Sequence, residues 1–481
     1  MANSFCVPQL GIIARSSKTD ANLTRVPKSR ISGIHFPAIP DAHASTQLAL
    51  QYQLEHSQWW SPSELWGHQL PHLRNLLEHA LNNVPYYQRL CSQSGLEIPL
   101  ELTPEFIQRI PISTRVAVQS AGHLLEAREI PPDHGKSTFG TTSGSTGQPV
   151  RFAATDITRT MWLAFALRDH LWHSRDVTRK LSAIRWFPRG FAEPPLGVVS
   201  PNWGGIVDPV FESGTSSTLN VAAPLEQQIA WLVQEQPDYL LSFPSNLAAL
   251  AEYCVAHGIT LPNLREVRTI GEGLSDSHRT LFLEAWGAKT SDIYTCEEAG
   301  YLALQCPRFD HYHVQAENVI LEIVDEQGQA CAVGQTGQVL ITTLHNYATP
   351  LIRYEVGDMA AFGEPCPCGR GLPVIRKIHG RKRNRLRLPS GRSEFPYLGE
   401  HGEIEALTGL AVHQFQCVQN SLEEIELKLV TARPFTDQEN AKVVRLMQDR
   451  LGHPFRIVCT FHASIPKGPT GKFEEFMSKV E

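Results

Sequence analysis

A run of small hydroxyl and glycine residues is the first segment of this chain whose composition could bind a ligand. It reads Thr141, Thr142, Ser143, Gly144, Ser145, Thr146, Gly147, Gln148, Pro149 and Val150. Glycines let backbone N–H groups turn toward an anion, and the hydroxyls add rotatable donors. It is not a Walker loop, because no Lys follows the last Gly as GK[ST] requires. The run predicts a phosphate-binding loop over Thr142–Gly147.

A flexible Gly/Ser linker is the alternative for such a composition. Apolar residues flank the run, with Phe139 before it and Val150 and Phe152 after it, and a helical pattern follows near Thr155–His173. We therefore expect a tight loop between ordered elements.

Four later segments carry polar residues at the ends of predicted strands or in a Pro/Gly-rich loop. They are Gly271-Glu272-Gly273, Tyr294-Thr295-Cys296-Glu297-Glu298-Ala299-Gly300, the run from Pro350 through Arg353 to Asp358, and Pro466-Lys467-Gly468-Pro469-Thr470-Gly471-Lys472. Taken alone, Asp358 is typical of a turn and Glu298 of a helix start. Lys472 alone would be an ordinary solvated lysine, so these residues gain meaning only from their joint order.

A cysteine and histidine set forms a candidate metal site. Cys366 and Cys368 are two residues apart, while Cys306 and His313 stand at the two ends of a short loop before a predicted strand. Structural zinc takes such mixed ligands in a closed tetrahedral site. The alternatives are turn cysteines without a metal, and His311 in place of His313.

Composition limits the class of protein. A chain of 481 residues, 42% hydrophobic and 19% charged, predicts a soluble protein of two or three domains. The net charge of -6 argues against nucleic-acid binding, and no apolar run approaches the ~18 residues of a membrane span. Ten cysteines without a disulfide framework indicate a reducing cytoplasm. We expect a flexible N-terminal tail over 1–45, with a transit peptide as the alternative.

Apolar periodicity predicts an α/β fold. Helices are expected over Thr46–Trp60, Glu64–Leu90 (with a stop or kink at Pro85), Leu225–Gln234, Asn246–Ala256, Ser275–Trp286 and Asp437–Leu451. Strands are expected over Leu181–Phe187, Tyr239–Phe243, Val267–Ile270, Asp292–Tyr294, Asn318–Asp325, Gly337–Leu344, Pro350–Tyr354, Val412–Gln419, Glu424–Val430 and Phe455–Thr460, with a hairpin from Asn384. Strand–helix alternation from 180 to 300 implies parallel sheets wrapped by helices.

The predicted domains are a large one over 46–380, with helix-wrapped β-sheets and a β-rich subdomain, and a small mobile α+β one over 381–481. The small one reads as β–α–β–α–β.

In this order the motifs resemble the adenylate-forming superfamily of acyl-CoA synthetases, luciferases and adenylation domains. The branch most similar is that of phenylacetate–CoA ligases. The branch resemblance depends on the Leu73–Tyr87 segment ending in Val-Pro-Tyr-Tyr, on Pro-Leu-Ile-Arg-Tyr and on Cys-x-Cys-Gly-Arg. It covers about residues 47–481.

The resemblance implies a role for each motif. Thr142–Gly147 would hold the β- and γ-phosphates of ATP, Glu298 would help to bind Mg²⁺, and Lys472 would bind the attacking carboxylate and the α-phosphate. Around the nucleoside, the resemblance implies Tyr294 against the adenine ring, the Gly271, Glu272 and Gly273 turn along its edge, Asp358 on the ribose hydroxyls, and Arg353 and Arg381 near the nucleotide. Members of the branch also carry a matching Cys…His…Cys-x-Cys set, which implies structural zinc.

Three positions depart from the family pattern. Thr295 replaces a usual Gly, Glu297 replaces Ser or Thr, and Lys382-Arg383-Asn384 replaces x-Asp-Asp, whose first Asp marks the hinge of the small domain. Arg383 at the hinge puts the second half-reaction in doubt.

The expected function is ATP- and Mg²⁺-dependent adenylation of an aryl or other apolar carboxylic acid, followed by transfer to CoA. The alternatives are transfer to an amine or a carrier protein, AMP transfer to a hydroxyl, and a non-enzymatic binding module. We expect a small-molecule acid and CoA as partners, no nucleic acid, no membrane, and a homodimer as the family's common state.

Overall fold

The structure is a computed structural model that describes residues 26–141, 150–381, 384–394, 396, 398, 403–468 and 472–480. Its helices are α1 (Ala42–Ser57), α2 (Pro62–Asn83), α3 (Pro85–Ser94), α4 (Pro104–Arg109), α5 (Arg115–Ala121), α6 (Asp156–Trp172), α7 (Leu225–Glu235), α8 (Pro244–His257), α9 (Asp276–Trp286), α10 (Glu403–Thr408) and α11 (Asp437–Leu451). The predicted phosphate loop, Thr142–Gly147, lies outside the described residues, as do Lys382 and Arg383.

The strands of the large domain begin with β1 (Ser137–Thr141), β2 (Arg151–Thr155), β3 (Leu181–Arg185), β4 (Val198–Ser200), β5 (Ser216–Asn220), β6 (Tyr239–Ser242), β7 (Glu266–Ile270) and β8 (Lys289–Cys296). They continue with β9 (Gly300–Gln305), β10 (Tyr312–Val314), β11 (Val319–Val324), β12 (Thr336–Thr343), β13 (Tyr354–Phe362) and β14 (Val374–Arg381). The C-terminal strands are β15 (Leu386–Arg387), β16 (Ser393–Glu394), β17 (Val412–Gln419), β18 (Glu424–Thr431), β19 (Arg456–Phe461) and β20 (Phe476–Ser478).

One long sheet organises the large domain. Among the described residues its twelve strands run in the order β11-β12-β13-β14-β10-β9-β8-β7-β6-β3-β5-β4. The pairs from β5 through β3, β6 and β7 to β8 are parallel, and those from β8 onward to β11 are antiparallel. The predicted parallel sheet and β-rich part are therefore two halves of one sheet, and the α/β fold class is confirmed.

The parallel half is covered on both faces. Helices α7, α8 and α9 pack on one face through a core that includes Leu232, Leu247 and Phe282. Helix α6 packs on the other face, where Phe165 meets Ile293. Such two-sided covering is what parallel strands require.

The kink predicted at Pro85 is present. Helix α2 begins with a capping box in which Ser61 and Glu64 satisfy each other's backbone N–H groups, and it ends at Asn83. Helix α3 then begins at Pro85, because proline cannot donate to the preceding turn but suits a first helical position.

The predicted strand at Pro350–Tyr354 is wrong. Strand β13 begins at Tyr354, and Arg353 has a left-handed backbone conformation with φ of +43°. The segment is tied instead to Tyr87, whose hydroxyl donates to the carbonyl of Pro350 (3.1 Å) and accepts from the N–H of Ile352 (2.9 Å). The Val-Pro-Tyr-Tyr and Pro-Leu-Ile-Arg-Tyr motifs therefore bind each other.

The C-terminal part forms a separate sheet in the order β19-β18-β17-β20, with α10 and α11 against it. The structure contains the three strands predicted for this part and the predicted helix over Asp437–Leu451. It also contains the hairpin predicted from Asn384, which is formed by β15 and β16. The predicted β–α–β–α–β order is wrong, because β17 and β18 pair directly as an antiparallel hairpin.

The first described residues contact the large domain. Lys28 forms an ion pair with Asp208 (2.8 Å), and α1 begins at Ala42, inside the predicted 1–45 tail. Within the described chain, no helix is both long and apolar enough to cross a membrane.

Candidate active site

The carboxyl ends of β7 and β8 carry the first part of the site. Gly271 follows β7 with φ of +81°, a conformation that suits glycine. A Cβ atom at this position would lie 3.1 Å from Cε and 3.2 Å from Nζ of Lys472. The C-terminal lysine is therefore packed directly on the Gly271 backbone, and the small domain is closed over the sheet edge.

Glu272 contacts residues of both domains. One carboxylate oxygen accepts a hydrogen bond from the N–H of Phe473 (2.7 Å), and the other accepts from the N–H of Ser245 at the start of α8 (3.0 Å). Burial raises the pKa of Glu272, while these two donors and the charge of Lys467 act in the opposite direction. The side chain therefore joins the two domains.

A second contact across the domains lies beside the first. Lys467 Nζ donates to Asn246 Oδ1 (3.2 Å), and Asn246 is itself held by Gln228 and Ser242. Sequence reasoning missed Lys467 as an interface residue, although it lies in the same Pro/Gly-rich motif as Lys472.

Tyr294, Asp358 and Arg381 come together as the resemblance implies. The Tyr294 hydroxyl donates to Asp358 Oδ2 (2.9 Å), and Arg381 Nε lies 3.2 Å from Oδ1. Strand pairing fixes this arrangement, because Asp358 on β13 is directly opposite Arg381 on β14. Each carboxylate oxygen has a second lone pair, so Asp358 can accept further donors such as ribose hydroxyls.

Glu298 is buried in the turn between β8 and β9. Its Oε1 accepts from the Tyr354 hydroxyl (3.0 Å) and from Arg115 (3.2 Å), and Arg115 also donates to that hydroxyl (3.0 Å). Both of these hydrogen bonds from described residues fall on Oε1. Sequence reasoning missed Arg115, because its position at the start of α5 belongs to no motif.

Arg353 is not brought to this site. Its guanidinium is buried and bonded to Glu322 (3.0 Å) and to the carbonyl oxygens of Gln108 and Ile110. A place near the nucleotide is not supported, because these partners already occupy the donors. The arginine instead holds the irregular segment before β13.

A cleft of about 2020 Å³ connects most of these groups. Its lining includes Gly271, Glu272, Gly273, Tyr294, Asp358, Arg381 and Lys472, together with the basic residues Arg279, Arg376, Lys377, Arg385 and Lys467. The cleft lies between the large sheet and the small domain. Acidic residues line it as well, among them Asp276, Asp292 and Glu475, so the cleft carries charges of both signs.

Lys472 has an unusual electrostatic environment in this cleft. Burial lowers the pKa of its ammonium group, and the positive charge of Arg381 lowers it further. The carboxylates of Glu297, Glu272 and Asp358 act in the opposite direction. A buried cation of this kind is poised to bind an anion that replaces the lost hydration.

The strands beside the predicted phosphate loop pair with each other. Strands β1 and β2 are antiparallel, and Thr141 lies opposite Arg151. They therefore bring the two ends of the loop sequence together.

The four predicted metal ligands form one cluster. The ligand atoms of Cys306, His313, Cys366 and Cys368 all lie within 4.8 Å of one another. The Cys306 and Cys366 sulfurs are 3.8 Å apart, and His313 Nε2 is 3.5 Å from the Cys368 sulfur. His311 lies outside the four, with Nε2 2.9 Å from the Cys366 sulfur. All described cysteines are free thiols.

Known proteins are similar to this chain over most of its length. Residues 403–479 match the family model of the CapK C-terminal domain. The phenylacetate–coenzyme A ligase of Thermus thermophilus is 25% identical over 374 residues, which cover 76% of this chain and 80% of that enzyme. The phenylacetate–coenzyme A ligase of Pseudomonas putida is 25% identical over 346 residues, covering 68% and 73%. The chain is therefore phenylacetate–CoA ligase-like over most of its length, in agreement with the resemblance of its motifs to the adenylate-forming superfamily.

The fold of this chain also occurs in solved structures. A crystal structure of 2-hydroxyisobutyryl-CoA ligase in its postadenylation state has a TM-score of 0.68 at 17% identity, covering 89% of this chain and 92% of that one. The similarity extends over both the large sheet and the small domain, as the resemblance predicted.

Proposed function

We propose that this protein uses ATP to convert a carboxylic acid to an acyl-adenylate with release of pyrophosphate, and then transfers the acyl group to CoA. The observation that carries the proposal is the packing of Lys472 on Gly271, in the cleft that also holds Asp358, Arg381 and Tyr294. The similarity to two phenylacetate–coenzyme A ligases supports an acyl-CoA ligase.

The first step joins two anions. A carboxylate oxygen attacks the α-phosphorus, a P–O bond forms, and the bond to pyrophosphate breaks. The positive charge of Lys472 would offset the repulsion between the carboxylate and the α-phosphate, and its packing on Gly271 in the cleft supports this role. Asp358 would accept hydrogen bonds from the ribose hydroxyls, while Tyr294 and Arg381 hold its carboxylate in place.

Glu298 would help to bind Mg²⁺. Its environment fits, because Tyr354 and Arg115 fix one oxygen and orient the other. When bound, the ion neutralises phosphate charge as pyrophosphate leaves.

In the second step the CoA thiolate attacks the acyl carbon, and AMP leaves. Lys472 is not needed on the α-phosphate at this stage. Rotation of the small domain would have to break the contacts of Glu272 and Lys467 with the opposite domain.

The cysteine cluster would hold a structural zinc ion. Two thiolates on one tetrahedral zinc are separated by about 3.8 Å when Zn–S is ≈ 2.3 Å, and the Cys306 and Cys366 sulfurs match this spacing. Four protein ligands leave no open position, so the ion would stabilise the loops after β9 and β13. His311 would contact the Cys366 sulfur from outside the ligand set.

Acid-dependent exchange between ATP and pyrophosphate tests the first step. A panel of aryl, fatty and amino acids should reveal exchange with at least one apolar or aryl acid, and mass spectrometry with CoA should then show the thioester. Exchange without a CoA product would contradict the acceptor, and an amide or adenylylated product would identify a different one. No exchange with any acid would contradict the enzyme assignment.

A further inference from the structure

Arg370 ends the Cys-x-Cys-Gly-Arg motif, and its contacts extend in two directions. Toward the cysteine cluster, its backbone N–H donates to the Cys368 sulfur (3.5 Å), and its Nη1 donates to the same atom (3.6 Å). Away from the cluster, its Nε donates to Oε1 of Gln58 (2.8 Å). Gln58 directly follows α1 and is fully buried. One side chain therefore connects the cluster to the junction between α1 and α2.

The chain after Arg370 is packed on the same junction, residues 58–61, which we call the α1–α2 corner. The N–H of Gly371 donates to the carbonyl of Gln58 (2.9 Å). A Cβ atom at Gly371 would overlap the carbonyl oxygen of Trp60, so only glycine permits this approach of the two backbones. The loop that carries Cys366 and Cys368 is therefore in direct contact with the corner.

Two tryptophans enclose the guanidinium of Arg370. Its central carbon lies 4.3 Å from the ring centre of Trp172, at the end of α6, and 5.1 Å from that of Trp59 in the corner. The Trp172 ring also meets the His313 ring edge-on, with their centres 5.8 Å apart. Cation–π contacts of this kind add to the hydrogen bonds that hold an arginine in place. The position of Arg370 thus depends on the corner, on α6 and on the cluster together.

Charge gives this position a consequence for a bound metal ion. Cysteine ligands are thiolates and a histidine ligand is neutral, so three cysteines and one histidine around Zn²⁺ carry one net negative charge. A partly buried charge is costly unless an opposite charge or hydrogen-bond donors compensate it. The Arg370 guanidinium supplies both at the Cys368 sulfur. Partners of this kind outside the ligand set stabilise metal sites.

The body of α1 has a separate attachment. Arg168 of α6 donates to the carbonyl of Leu54 (2.7 Å) and forms an ion pair with Glu317 (3.0 Å). None of these three residues belongs to the cysteine and histidine cluster. A change at the cluster should therefore affect the α1–α2 corner and spare the middle of α1.

We propose that Arg370 couples zinc binding to the docking of the α1–α2 corner. With the ion bound, the loop of Cys366 and Cys368 is crosslinked to Cys306 and His313, and Arg370 is held between this loop and Gln58. Without the ion the crosslink is lost, and the corner loses its fixed partner. Coupling of this kind is reciprocal, so loss of Arg370 weakens zinc binding as well. This inference rests on the zinc site proposed above.

Hydrogen–deuterium exchange of the full chain tests the coupling, with and without removal of zinc by a chelator. The proteins are the wild type, Arg370→Gln and Arg89→Gln, a control at an exposed arginine of α3. In the wild type and the control, zinc removal should speed exchange of the corner amides by about tenfold, as for loss of a charge-assisted hydrogen bond, and should leave the middle of α1 unchanged. In Arg370→Gln the corner should exchange fast in both states.

Chelator competition measures the reciprocal effect. Arg370→Gln should weaken zinc binding by about 10- to 100-fold, Arg370→Lys should weaken it less because the charge remains, and Arg89→Gln should not weaken it. Corner exchange in the wild type that does not respond to zinc would overturn the coupling, and so would unchanged zinc affinity in Arg370→Gln. The wild-type comparison decides alone if Arg370→Gln does not fold.

A wild type that binds no added zinc would contradict both the metal site and this inference. Exchange between ATP and pyrophosphate in the same preparation would still test the proposed activity, so the two failures can be told apart.

Discussion

The carboxylate of Glu272 accepts a hydrogen bond from the backbone N–H of Phe473 at 2.7 Å, and this contact fixes the residue next to Lys472. Its other oxygen binds the N–H of Ser245, so a single side chain links the start of α8 to the C-terminal segment. The position of Lys472 on Gly271 therefore depends on a residue outside the small domain.

Glu272→Gln should slow adenylation selectively. The amide can accept only one of the two N–H groups and presents its own donors to the other, so we expect about a tenfold loss in exchange rate. Transfer from supplied acyl-AMP to CoA should change little, because that step does not need this closed contact. The two half-reactions are measured separately, with Glu284→Gln, an exposed change on α9, as the control. Equal losses in both half-reactions would indicate a general structural role.

Lys472→Ala should reduce exchange by about 10²-fold or more, as for loss of a charge that stabilises the transition state. Use of supplied acyl-AMP with CoA should survive. If both half-reactions are unchanged, the role assigned to this lysine is wrong.

The pH dependence of the exchange rate should reflect the loss of the positive charge of Lys472. The cation is present below its pKa and lost above it, and burial lowers that pKa. The exchange rate should therefore fall on the alkaline side below pH ~10.4, the ordinary pKa of lysine. In Lys472→Arg the residual activity should lack this alkaline fall, because arginine keeps its charge. An identical alkaline limb in both proteins would contradict the assignment.

Arg353 and Arg381 should give opposite results. Arg353→Lys removes part of a buried network around Glu322, so we expect a lower melting temperature but an unchanged KM for ATP. Arg381→Lys weakens the support of Asp358 and should raise KM for ATP with little effect on melting. Thermal melting and ATP titration of exchange separate the two outcomes. A raised KM in Arg353→Lys alone would restore the nucleotide role that the sequence predicted for it.

These two arginines show where sequence reasoning succeeds and where it stops. Arg381 and Asp358 can be assigned from motif order, because strand pairing makes them neighbours across β13 and β14. Arg353 lies in an equally clear motif, but the orientation of its side chain depends on Glu322 and on the Ile110 carbonyl, to which its guanidinium donates. No local sequence pattern connects these residues to Arg353. Arg115 likewise donates to Glu298, a residue 183 positions later in the chain. No local pattern connects the two, and Arg115 belongs to no motif.

Most of the secondary structure is predictable, since periodicity reports which face of each helix or strand is buried. The strand predicted at Pro350–Tyr354 fails, because its apolar residues are held in an irregular conformation by a tyrosine 263 positions earlier. Apolar composition indicates burial there, but not the hydrogen bonds that decide the backbone path.

Tyr87→Phe should destabilise the large domain. It leaves the buried carbonyl of Pro350 and N–H of Ile352 without their shared partner, which costs about 1–3 kcal/mol. The midpoint of urea unfolding should fall accordingly. Tyr86→Phe is the matched control: its half-buried ring lies 5.0 Å from that of Tyr87, and the change should stay within about 0.5 kcal/mol. Equal effects of the two changes would contradict the role of the Tyr87 hydroxyl.

Cys368→Ser should remove a metal ion and lower the melting temperature without changing KM for ATP. Its thiolate is one of four ligands in a closed cluster, so loss of one ligand weakens zinc binding and the loops that the ion joins. Metal analysis should give about one equivalent of zinc in the wild type and in Cys91→Ser, a free thiol elsewhere in the chain. Less than about half an equivalent in the wild type would count against the site. Because the ligands lie after β9, in β10 and after β13, and none belongs to the set around Asp358 and Lys472, loss of zinc should lower the melting temperature while exchange at lower temperatures keeps its normal KM for ATP.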